Sequence, residues 1–95
     1  MTLRLEKEPV IDNVTHHSAE AVEKLRAMLM TGVPAHPDPR RKNFYELENC
    51  ASIYYIHLSP ANGKVMLLAI WDKDPEGFTL SRELSAATLA CFGAY

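Results

Sequence analysis

The groups in this 95-residue chain that could do chemistry are four histidines, two cysteines and a short basic run. Arg40, Arg41 and Lys42 are followed at once by Phe44 and Tyr45. Basic groups beside aromatic rings can hold an anionic ligand or a single nucleic-acid strand, by phosphate pairing and base stacking. Asp38, Glu46 and Glu48 stand nearby and dilute that charge, so a solvated rim is the simpler reading of the run. His57 sits in the alternating stretch SIYYIHL, on the same expected strand face as Ile53 and Tyr55. A histidine so placed, its pKa shifted by burial, could act as a general acid or base, although such residues more often serve as hydrogen-bonded parts of a sheet. Arg40, Arg41, Tyr55 and His57 are therefore the ligand-binding candidates, the arginines to hold an anion and the other two to handle a proton. No catalytic residue is assigned.

Metal chemistry has less to stand on. A site needs ligands that converge from a rigid element, and the adjacent His16 and His17 point in different directions. Glu46 and Glu48 share a strand face and could hold a cation, but the solubility of an edge strand accounts for them more simply. Cys50 and Cys91 lie far apart with no CxxC partner, which implies reduced structural thiols rather than a zinc ribbon or redox dithiol. No glycine-rich phosphate loop, GxSxG elbow or HExxH pattern occurs, and no metal or cofactor is expected.

Composition sets the class. With 47% hydrophobic and 23% charged residues, a formal charge of -2 and a pI near 6.0, the chain reads as one soluble globular domain over residues 1–95. It carries no global positive field, and a nucleic-acid partner is not expected. The N-terminus lacks the apolar core of a secretion signal, and the longest apolar run, Val65 to Trp71, is far short of the roughly 20 residues that span a bilayer. A cytoplasmic location is the expectation.

The elements that must position these groups follow from periodicity. Residues 2–8 alternate Leu3 and Leu5 with polar neighbours, so residues 1–14 are read as an edge strand or a frayed arm. Val22, Leu25 and Leu29 recur at helical spacing, with Thr15 or Ser18 as N-cap and Gly32 then Pro34 ending the helix near residue 31. Prolines 34, 37 and 39 make residues 33–42 a stiff surface connector without ladder donors. Three strands follow, over 43–48, 52–58 and 65–71, the last two joined as a hairpin through SPANGK. Alternation puts Phe44, Glu46 and Glu48 opposite Tyr45 and Leu47, and Ile53, Tyr55 and His57 opposite Tyr54, Ile56 and Leu58. On the third strand it groups Val65, Leu67, Ala69 and Trp71 against Met66, Leu68 and Ile70. A second helix is expected from Ser81 to Phe92.

The expected fold is α+β: a three- or four-stranded antiparallel sheet with two helices packed on one face, in the order (β)-α-β-β-β-α. Helix, three strands, helix is also the order of double-stranded RNA-binding domains. Here, however, the second helix opens with Ser81, Arg82, Glu83 and Leu84 rather than the lysines that would meet phosphates. Seven successive apolar residues from Val65 to Trp71 give that strand two greasy faces, and two helices cover one. A homodimer through the free face is the inference, with Tyr54, Val65, Leu67 and Trp71 as interface candidates. The expected function is a non-enzymatic interaction or assembly module. The alternative is a small binding domain or enzyme for an anionic ligand or single-stranded nucleic acid, using the proline-rich loop and adjacent sheet.

Overall fold

The structure is a computed structural model that describes residues 1–72. Within them the elements are β1 (Thr2–Leu3), β2 (Ile11–Asp12), α1 (Ala19–Thr31), β3 (Val33–Pro37), β4 (Phe44–Glu48), β5 (Ser52–Leu58) and β6 (Val65–Asp72). All six strands join one curled sheet of order β1-β3-β4-β5-β6-β2. It is mixed, since β2 runs parallel to β6 while every other neighbouring pair is antiparallel. This corrects the expected fold: six strands replace three or four, the sheet is not purely antiparallel, and α1 is the one helix among the described residues. The helix expected from Ser81 to Phe92 lies outside them.

Two of the additional strands come from segments read otherwise. The stretch taken as a connector contains β3, whose two prolines sit where the ladder does not need them. Ala35 donates its N–H to Met1 (2.7 Å) on the β1 side, and Asp38 donates to Phe44 (2.8 Å) on the β4 side. Successive amides alternate along a strand. Pro34 therefore lacks its N–H on the β4 side, one step beyond the last β3–β4 pair, Ala35 with Leu47. Pro37 lacks its own on the β1 side, beyond the reach of the Thr2–Leu3 pairing. Prolines at such ends cost no ladder bond. The N-terminal residues do not form one edge strand. They supply two separate two-residue strands, β1 and β2, with Arg26 of α1 holding Glu8 of the intervening arm (3.1 Å).

α1 follows its sequence signals closely. Ser18 is the N-cap, its hydroxyl accepting from the Ala21 amide (3.1 Å), and Gly32 closes the other end at φ 102° with its N–H on the Met28 carbonyl (2.9 Å). Both bonds satisfy helix-end groups that water would otherwise have to serve. Ser18→Ala should lower stability by about 1 kcal/mol in urea unfolding, the usual cost of removing a capping oxygen. Leu25 and Leu29 of α1 are fully buried against Val33, Ala35, Leu47, Tyr54, Ile56, Val65 and Leu67, which together form the main core.

The faces of β4 and β5 alternate as expected, but β6 changes phase midway. Ile56 opposes Leu67 and Tyr55 opposes Ala69, so Leu68 is an extra residue, a β-bulge. Val65, Leu67 and Ile70 pack on the α1 side, while Leu68, Ala69 and Trp71 join Phe44 and Tyr55 on the other. The expected grouping of Val65, Leu67, Ala69 and Trp71 on one face is thereby overturned. Beside the bulge the Thr15 hydroxyl donates to the Leu67 carbonyl (3.2 Å), an acceptor that β2 does not reach.

Candidate functional site

Three polar side chains on the face opposite α1, those of Asp38, Arg41 and Tyr55, meet where the chain leaves β3. Asp38 is the hub. One carboxylate oxygen accepts from the Arg40 amide (2.9 Å), and the other accepts from Arg41 Nη1 (3.2 Å) and from the Tyr55 hydroxyl (2.6 Å). The first of these is the local bond that aspartate makes in a turn. The last reaches across the sheet, because the β4–β5 register sets Tyr55 beside Glu46, whose β3 neighbour is His36. Asn43, at φ 69°, and a bond from the Phe44 amide to the Arg41 carbonyl (3.3 Å) return the chain to β4.

Burial and bonding set the charge states of this cluster. The Asp38 side chain is 11% exposed and that of Arg41 26%. Burial alone would raise the Asp38 pKa, but the hydrogen bonds from Tyr55, the Arg40 amide and Arg41 together hold it below the ordinary 3.8. The Tyr55 phenol is pushed far above its ordinary 10, first by burial and then by donating to a carboxylate that its own ionisation would repel. Burial acts to lower the Arg41 pKa, and pairing with Asp38 outweighs it and raises the value. At neutral pH the cluster is thus an anionic carboxylate, a cationic guanidinium and a neutral phenol that satisfy one another.

Aromatic rings continue the row. Phe44 lies 5.7 Å from Tyr55 and 4.7 Å from His57 between centroids, and Trp71 meets Tyr55 edge-on at 6.0 Å. Such geometries favour aromatic pairs beyond their buried area. Burial lowers the His57 pKa, so its imidazole is neutral at pH 7. Towards the outer side, His36 Nε2 lies 3.0 Å from Glu48 across the β3–β4 pair.

The four ligand-binding candidates are thus placed as follows. Arg41 and Tyr55 converge on Asp38, Arg40 contributes its amide while its residue stays exposed, and His57 joins through the Phe44 ring. Of the four interface candidates, Tyr54, Val65 and Leu67 are 3%, 0% and 0% exposed in the core beneath α1. Trp71 lies half-buried on the opposite face. The hub itself, Asp38, was not among the candidates. Its local signal is an aspartate between Pro37 and Pro39 followed by two arginines, which marks a turn but gives no hint of Tyr55.

In this arrangement Asp38 is held ionised and is a poor general acid, while Tyr55 is held protonated and is a poor base. Arg41 already has its carboxylate. The geometry fixes the shape of the loop, leaving Arg40 and Lys42 exposed at its tip. Among the described residues no group of three or more histidine, cysteine, aspartate or glutamate side chains is placed to hold a metal ion, and no helix is long and apolar enough to cross a membrane. Cys50 is a free, exposed thiol in the β4–β5 connection. Comparison of the chain with protein-family models, with curated proteins and with solved structures finds no match.

Proposed function

We propose that this chain is a cytoplasmic, non-enzymatic interaction module that assembles with a second copy of itself through its sheet. The observation that carries this reading is the outer side of β6. That strand is eight residues long, yet among the described residues the strand beside it, β2, pairs with Val65 and Met66 alone. From Leu67 to Trp71 the edge is apolar and carries no lysine or proline, the residues that commonly blunt such edges. Ala69 and Trp71 along it, and Met66 just before it, are partly exposed on the face away from α1. Strand addition by a like edge would pair the outward backbone groups beyond Leu67, whose carbonyl the Thr15 hydroxyl already holds, and cover these side chains together. The reactive groups nearby support the non-enzymatic half of the reading, since Asp38, Arg41 and Tyr55 are spent on one another. A second chain is named as partner because the edge of a two-fold pair needs only to complement itself.

Sedimentation of the full chain at micromolar concentration, with hydrogen exchange read in parallel, tests the proposal. A dimer whose amides between residues 67 and 71 gain protection as concentration rises is the expected result, weakened at least tenfold in Trp71→Lys. A monomer at every concentration overturns the assembly reading. A dimer indifferent to both probes overturns the assignment of the edge.

A further inference from the structure

We draw no further inference here: the strongest candidate, an open depression of about 610 Å³ between the arm at residues 4–10 and the turn at Asn62 and Gly63, is walled by Arg4, Glu6, Lys7 and Glu8 in both charge signs, and nothing in the structure shows what fills it.

Discussion

Leu67→Lys is expected to destabilise the protein by more than about 4 kcal/mol, because an ammonium group would have to enter a fully buried site beneath α1. The sharper result is the comparison further along the strand. Lysine at Ile70, which packs on the α1 side, should cost about 2 to 3 kcal/mol, and lysine at Ala69, on the other face, about 1. Strict alternation from Val65 would give the opposite ranking, since it places Ala69 with Leu67 and Ile70 with Met66. The bulge at Leu68 exchanges the two sites. Urea unfolding of the three variants measures this directly. Were Ala69→Lys the more damaging of the last two, the bulge would be wrongly placed.

Asp38→Ala should be the most costly polar substitution, at about 3 kcal/mol, because it leaves the Tyr55 hydroxyl and the Arg41 guanidinium without the acceptor they share. Tyr55→Phe removes one of those bonds and should cost about 1 kcal/mol, and the double variant should cost less than the sum, as partners in one network do. Linkage adds a pH signature. The folded-state pKa of Asp38 lies below the value in an unfolded chain, so its stabilisation is complete above about pH 4 and is lost as the pH falls through the lower, folded value. Asp38→Asn should flatten the acid limb of a stability-against-pH curve relative to the parent. An unchanged limb would mean that other carboxylates carry the acid sensitivity.

How much of this was legible beforehand depends on whether each feature writes its signal locally. α1 does so twice, in the spacing of Val22, Leu25 and Leu29 and in the capping pair Ser18 and Gly32, and its observed limits follow. The two-residue period of β4 and β5 sorts their side chains into the two groups observed, but FYELE and SIYYIHL carry apolar residues in both groups, so which group meets α1 was not written there. β6 could be located but not phased. Seven apolar residues in a row look the same whichever face each takes, so nothing marked Leu68 as the residue out of step. β3 was hidden by its prolines, whose exclusion from sheets holds only where a ladder bond is needed. β2 was hidden by its length: two residues carry no period, and pairing with β6 is the whole of its identity. At the site, the turn chemistry of Asp38 was local, whereas its bond to Tyr55 depends on a register spanning three strands.

The division of the N-terminal residues between opposite margins of the sheet has a consequence in time. β1 lies against β3 at one margin and β2 against β6 at the other, although a short arm alone separates β1 from β2 in the chain. During synthesis Ile11 emerges long before Val65, its eventual neighbour. The α1, β3, β4 and β5 segments can begin to pack while the opening segment still waits for its second anchor. Pairings so distant in sequence pay their loop-closure entropy before contacts reward it, and they slow folding accordingly. β2, made long before its partner, should therefore be among the last strands to settle, and a kinetic phase sensitive to Ile11→Ala but not to Ser18→Ala would be its trace.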